Sequence, residues 1–250
     1  MPPHVLIATA TPWESRPLAA ALGLEEASRA PHADPDGAQH LGASAPRPNG
    51  VRLWKGRFAG KDIFLVETGM GPAAAAGTLA TFEEDIRPGM VLSAGFAGAL
   101  QRGLSTGLIV ADLHAAGHRH ARALRLAEES CAATLRVGRV ATSDSVLCDP
   151  AEKSRLGAET GALAVDMESA TVGTWAGEKG SSFVAVRAIL DRIDQRLPRS
   201  APASASAADL ARYALSHLRD IPLLIRLAFA QRTAMRELTD FLRSFLEESP

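Results

Sequence analysis

Short apolar runs closed by glycine or by an abrupt polar change recur along the chain. Val5–Ala10 (VLIATA) is apolar at consecutive positions, the pattern of a strand buried on both faces. Thr11-Pro12 breaks it, and Trp13–Leu24 reads as a helix with Pro12 near its first turn. Val51–Phe58 and Lys61–Glu67 read as two strands joined around Ala59-Gly60. A helix over Ala73–Phe82 follows Gly69-Met70-Gly71-Pro72, and Met90–Ala94 is another buried strand, closed by Gly95-Phe96-Ala97-Gly98. Further strands are predicted over Gly107–Leu113, Leu135–Thr142 and Ala162–Val165, and helices over Pro150–Thr160 and Met167–Glu178. Phe183–Ile189 is the last core strand.

Two stretches lack any period. Residues 28–50 read as a loop or flap, and 196–208 as a low-complexity Pro/Ser/Ala connection. Beyond it, Asp209–Leu246 reads as an amphipathic helical tail interrupted at Pro222. Leu223, Leu224, Leu227 and Phe229, then Leu238, Phe241, Leu242 and Phe245, give it apolar faces for the core or for a second subunit. The organisation expected is a catalytic domain over 1–195, a connection over 196–208, and a helical extension over 209–250 packed on the same domain. Alternating strands and helices with two adjacent early strands predict an α/β fold, a three-layer α/β/α sandwich with a mixed central sheet.

Composition narrows the class. The chain has 250 residues, 46% of them hydrophobic, enough for one sizeable core. A formal net charge of −1 supplies no bulk field for nucleic acid or an anionic membrane. Cys131 and Cys148 form neither a disulfide framework nor a metal spacing and read as reduced thiols. The sequence opens without a basic leader and holds no apolar run of about 18 residues. A cytoplasmic protein is expected. His114, His118 and His120 cluster with Arg119 and Arg122 but lack further metal ligands, and read as a solvated or subunit-facing loop.

Sites in open α/β sheets lie beyond the carboxyl ends of the strands. Five segments stand at such ends with unusual content: 10–14 (ATPWE), 67–71 (ETGMG), 93–98 (SAGFAG), 165–169 (VDMES) and 187–191 (RAILD). Singly each is ordinary. Glu14, Asp166 and Asp191 suit helix caps, and Gly69-Met70-Gly71 suits a plain turn.

Together and in this order they resemble the nucleoside phosphorylase and nucleosidase superfamily. That group includes purine nucleoside phosphorylases, methylthioadenosine/S-adenosylhomocysteine nucleosidases, futalosine hydrolases and hopanoid-associated nucleosidases. The resemblance runs from about Val5 to Gln195, weakest over 28–50 and 114–134; V-D-M-E-S is similar to the family's V-E-M-E and R-A-I-L-D to its R-A-I-S-D. It implies hydrolysis of the N-glycosidic bond of a purine-type nucleoside, without metal or organic cofactor, by a homo-oligomer.

The reaction builds positive charge on the ribosyl ring and negative charge on the departing base, so an acid must meet the base at N7. The resemblance assigns that to Asp191, activation of water to Glu14, and capture of the 2′- and 3′-hydroxyls to Glu168. Met167 would floor the sugar, Thr68 would contact ribose or nucleophile, and Arg187 would orient a neighbouring carboxylate. Phosphorolytic members bind phosphate through a Ser or Thr where Phe96 stands here, which favours water as nucleophile. Arg52 and Arg57 lie where phosphate ligands are plausible. Val146, beside Leu147, replaces an adenine-stacking Phe of the nucleosidases, a contact of about 1 kcal/mol. Trp13 or Phe96 is a candidate replacement wall. A purine nucleoside phosphorylase and a non-catalytic nucleoside-binding protein are the alternative readings.

Overall fold

The computed structural model describes residues 4–27, 51–81, 88–113, 118–130, 134–198 and 221–248. The expected loop at 28–50 and His114 lie outside the described residues, as do the parts of the connection and tail between 199 and 220.

The first apolar run forms β1 (His4–Thr9), followed by α1 (Pro12–Ala21) and a two-residue β2 (Glu25–Glu26). β3 (Arg52–Phe58) and β4 (Lys61–Glu67) form the expected hairpin, with α2 (Pro72–Ala80) after it. Then come β5 (Met90–Ala99), β6 (Ile109–Asp112), α3 (His118–Ser130), β7 (Leu135–Val137) and β8 (Val140–Thr142). α4 (Pro150–Thr160), β9 (Ala164–Asp166), α5 (Ser169–Glu178), β10 (Ser182–Asp191) and α6 (Ile221–Glu248) complete the order.

One mixed sheet runs β2-β3-β4-β1-β5-β10-β6-β7, with β9 joined antiparallel to the end of β5 and β8 parallel to β9. β4, β1, β5 and β10 are mutually parallel neighbours, which aligns their carboxyl ends. Helices cover both faces, giving the three-layer sandwich. Val5 and Ile7 pack with Leu18 of α1 and Leu238 and Leu242 of α6; Leu6 and Ala8 pack on the opposite side with Leu79 of α2 and Val172 and Trp175 of α5. The unbroken apolar run of β1 is thus the signature of a strand covered twice.

The structure corrects three expectations. β5 does not end at Ala94 but runs through Gly95 and Gly98 to Ala99, because buried carboxylates occupy the space that side chains there would need. The strand expected over 135–142 is two strands split at Gly138 and Arg139, and they join different neighbours. His118 and His120 start helix α3 instead of lying in a loop, and its Leu124 is buried in the core. Pro222 sits in the first turn of α6, where its missing N–H costs nothing, and the expected helix before it lies outside the described residues.

α6 is tied down at its far end, where the buried Lys61 donates to the Leu246 carbonyl at 2.7 Å and Arg243 to the Ala21 carbonyl at 2.7 Å. Its first turns are looser: Ile225 and Phe229 are exposed. No helix among the described residues is long and apolar enough to cross a membrane.

Candidate active site

A cleft opens at the carboxyl ends of β1, β4, β5 and β10. Its lining includes Glu14, Thr68, Phe96, Glu168 and Arg187, which the sequence nominated, and Ser93, which it did not.

Glu14 stands at the third helical position after the N-cap Thr11, and one carboxylate oxygen serves as a cap. Oε2 accepts from the Ala10 amide (3.1 Å), the Thr11 amide (2.9 Å) and the Thr11 hydroxyl (3.0 Å). Oε1 does something a cap does not. It accepts from the amide of Phe96, 82 residues away, at 3.0 Å. Gly95 makes this possible, since a β-carbon there would stand 2.5 Å from Oε1. Burial raises the Glu14 carboxyl above its ordinary value, against the Phe96 amide, Arg187 and Thr11, which favour the anion. A buried carboxyl with a raised pKa is a stronger proton acceptor once ionised.

Glu168 is the residue just before α5, and its Oε1 accepts the Gly71 amide at 2.7 Å. Gly71 has φ 87°, a left-handed conformation that glycine adopts freely. The Gly-x-Gly turn therefore also aims a backbone donor at the carboxylate. Burial pushes Glu168 up to about 7, opposed by the Gly71 amide and Arg187 and reinforced by the negative charges of Asp166 and Glu14. Met167 lies beside this contact, its Cε 3.6 Å from where a β-carbon on Gly71 would be. Thr68 is buried, its hydroxyl within reach of the Thr9 and Gly69 carbonyls at 3.1 and 3.0 Å.

Arg187 orients a carboxylate, as expected, and the carboxylate is Asp166. Its Nε donates to Asp166 at 2.7 Å and its Nη2 lies 2.5 Å from the same oxygen. The remaining N–H groups reach the Ser93 carbonyl (2.7 Å), the Ser93 hydroxyl (2.6 Å), the Ser169 hydroxyl (3.0 Å) and the Val186 carbonyl (3.1 Å). A guanidinium has five N–H donors, and this one has none to spare. Asp166 also accepts from the Thr142 hydroxyl at 2.9 Å and the Ser169 amide at 3.0 Å, and from the Ser169 hydroxyl. It caps α5 and anchors Arg187 at once. Arg52 and Arg57 do not line the cleft; Arg52 pairs with Glu26 at 2.9 Å over Trp54, and Arg57 faces Asp62.

Asp191, Leu147, Val146 and Trp13 stand apart from this lining. Asp191 ends β10 opposite Gly98, two residues beyond Phe96 along β5, and a β-carbon on Gly98 would stand 3.3 Å from its Oδ2. It is buried and ion-paired with Lys153, a residue the sequence reading passed over. Burial pushes the Asp191 carboxyl up, and Lys153 opposes that. Leu147 packs on the cluster of Leu100, Ala162 and Val165, while Val146 is exposed, as is Trp13. Among the described residues no cluster of three or more His, Cys, Asp or Glu side chains is arranged to hold a metal.

Residues 5–119 and 111–218 match the family described as the phosphorylase superfamily. The 5′-methylthioadenosine/S-adenosylhomocysteine nucleosidase of Pseudoalteromonas translucida is 27% identical over 180 residues, covering 60% of this chain and 76% of the relative. That of a Marinomonas species is 28% identical over 178 residues, covering 60% and 77%. Among solved structures, a mutant Helicobacter pylori nucleosidase with 5′-methylthioadenosine in its active site superposes with TM-score 0.70 at 17% identity, covering 99% of this chain and 100% of that one. The futalosine hydrolase of the same organism gives 0.69 at 18%, covering 98% of each.

Proposed function

Because the chain belongs to the phosphorylase superfamily, we propose that it is a nucleosidase, hydrolysing the N-glycosidic bond of a purine-type nucleoside to free base and ribose or a modified ribose. The observation that carries this reading is the pairing of Glu14 and Glu168 across one cleft beside an arginine whose donors are all engaged.

Water rather than phosphate is the nucleophile. A phosphate dianion needs unspent donors, and here Arg187 is saturated, the Phe96 amide is taken by Glu14, and Phe96 offers no hydroxyl. A water needs one acceptor. Glu14 Oε2 already takes three donors and Oε1 only the Phe96 amide, which leaves Oε1 for a water proton. The water oxygen bonds to C1′ as the bond to the base nitrogen breaks. Its proton passes to Glu14, and the bond's electron pair leaves with the base, which takes a proton at N7 from Asp191, whose carboxyl burial pushes up.

Glu168 grips the 2′- and 3′-hydroxyls and offsets the charge developing on the ring, with Met167 beneath the sugar and Thr68 at its rim. The base extends past Phe96 toward Asp191, with Val146 and Leu147 on the outer wall. The work is done in the cytoplasm by a homo-oligomer; the exposed Ile225 and Phe229 of α6 are candidate subunit contacts.

The test is incubation of the protein with adenosine, inosine and 5′-methylthioadenosine, with and without phosphate. Free base together with a reducing sugar, independent of phosphate, is expected. Ribose 1-phosphate as product would overturn the choice of nucleophile, and no cleavage of any purine nucleoside would leave a binding protein.

A further inference from the structure

Ser93 is a buried hydroxyl on the wall of the cleft, with one more hydrogen bond to make than the protein gives it. It stands in β5 two residues before Gly95, so the two face the same side of the sheet. On the neighbouring strands it lies opposite Ala8 of β1 and Ala185 of β10, whose methyl groups accept nothing. Its oxygen accepts from Arg187 Nη2 at 2.6 Å, and its carbonyl from Arg187 Nη1 at 2.7 Å. A hydroxyl also carries one hydrogen to give. Among the described residues the Ser93 hydroxyl receives and does not donate.

We propose that Ser93 holds the attacking water: its hydroxyl donates to the water oxygen while Glu14 Oε1 accepts from one of the water's hydrogens. The proposal rests on the reading of Glu14 as the base of a hydrolase. The point that a β-carbon on Gly95 would occupy lies 2.5 Å from Glu14 Oε1 and 3.7 Å from Arg187 Nη1, and the same guanidinium holds Ser93 through its other terminal nitrogen. The acceptor and the hydroxyl therefore flank one bare glycine. The other donors here are engaged. Arg187 gives its N–H groups to Asp166, Ser93, Ser169 and Val186, and the Phe96 amide serves Glu14. The Thr9 hydroxyl is directed at the Val66 carbonyl, and that of Thr68 at the carbonyls of Thr9 and Gly69.

A water has two hydrogens and two lone pairs. One hydrogen meets Glu14 Oε1 and one lone pair takes the Ser93 hydrogen, which leaves the second lone pair for C1′. Ser93 transfers no proton: the proton that the water loses goes to Glu14, and the hydroxyl keeps its own. Its part is orientation. Arg187 occupies the side of the oxygen that faces the guanidinium, so the hydrogen must point elsewhere, and the cleft is the polar space beside it. A nucleophile held in line reacts far faster than one that drifts, and a displacement of about 1 Å can cost about 10²-fold.

The experiment measures kcat and KM for phosphate-independent base release by the full chain, using whichever of adenosine, inosine and 5′-methylthioadenosine the parent cleaves fastest. It compares the parent, Ser93→Ala, Glu14→Gln and the double variant. Ser93→Ala should lower kcat by about 10- to 100-fold and leave KM within about twofold, because the water and not the sugar is released. In the double variant the Ser93 change should have almost no further effect, since a water that no base activates gains nothing from being held. An unchanged kcat in Ser93→Ala overturns the proposal. So does the same fold-loss with and without Glu14, or a loss carried by KM, either of which makes Ser93 a mere support for Arg187. Should Ser93→Ala not fold, Ser93→Cys decides: it nearly keeps the volume and weakens the donor, so the same loss in kcat is expected and full activity overturns the proposal. A parent that releases no base without phosphate overturns the reading of the site as a hydrolase, and the role of Ser93 with it.

Discussion

The carboxylate of Glu14 rests over the bare α-carbon of Gly95, so close that a β-carbon on residue 95 would stand 2.5 Å from Oε1. An acid at the start of one helix and a glycine within the central strand are thus a matched pair. Gly95→Ala should drive Glu14 off the Phe96 amide and lower kcat/KM for base release by a factor approaching that of Glu14→Gln, about 10²–10⁴ for loss of a general base. Steady-state rates of free-base release for the two variants decide it. A fully active Gly95→Ala would mean that the position of Glu14 is immaterial.

Glu168 should set the pH dependence. It grips hydroxyls best as an anion, and its carboxyl sits at about 7. kcat/KM should therefore rise with pH on the acid side and level off above about 7, since this parameter reports groups of the free enzyme. In Glu168→Gln the limb near 7 should vanish along with most of the activity. Persistence of the limb would assign it to another group.

The same shift acts on stability, with a definite sign. Between pH 4.5 and about 7, Glu168 is ionised in the unfolded chain and still protonated in the folded one. The unfolded state then binds fewer protons, so stability falls as pH rises through that window, by roughly 3 kcal/mol in all for this one group. Glu168→Gln cannot ionise. Its melting temperature relative to the parent should climb from pH 5 to 7.5, and a constant difference would refute the shift.

Arg187 and Asp166 make the opposite case, a charge pair whose loss is costly. Arg187→Met leaves the Asp166 carboxylate buried with its cation gone, a change worth about 3–5 kcal/mol. Urea denaturation of this variant should give a midpoint far below the parent's. Asp166→Asn with Arg187→Met should recover part of it, because no charge is then stranded.

Much of this was legible in the chain, for identifiable reasons. β1, β4 and the start of β5 read correctly because covering by helices on both faces demands continuous apolar runs, and Pro72 and Pro150 marked the first turns of α2 and α4. Glu14, Thr68, Glu168 and Arg187, which line one cleft, stand out in the chain because strand ends leave polar residues where apolar ones are expected, and Phe96 stands out because it takes the place of a Ser or Thr in the phosphorolytic members. The far half of β5 was lost because Gly95 and Gly98 look like a loop; only the carboxylates of Glu14 and Asp191 over them explain glycine within a strand. α3 was lost because Leu124 is a thin apolar signal in a run of His and Arg. Lys153 did leave a trace. It falls one helical turn before Gly157 on the buried side of α4, a position where lysine needs a partner.

The tail gives the sharpest contrast within one helix. Leu238 has no exposed surface and packs among β1, β5 and β10 side chains, whereas Phe229, nine residues earlier on α6, is 62% exposed beneath Arg232. If α6 is part of the same cooperative unit as the sheet, Leu238→Ala should cost about 2–5 kcal/mol, lost burial plus the cavity left behind. It should also lower a single urea transition without splitting it. Phe229→Ala should move that transition by no more than about 0.5 kcal/mol at low protein concentration, because little surface is buried there. The two proposals for the tail then separate by mass. A homo-oligomer using Phe229 should dissociate in Phe229→Ala when followed by light scattering, with the monomer's unfolding curve unchanged. A split transition in Leu238→Ala, with the sheet melting at its original midpoint, would instead make α6 an appendage that the core folds without.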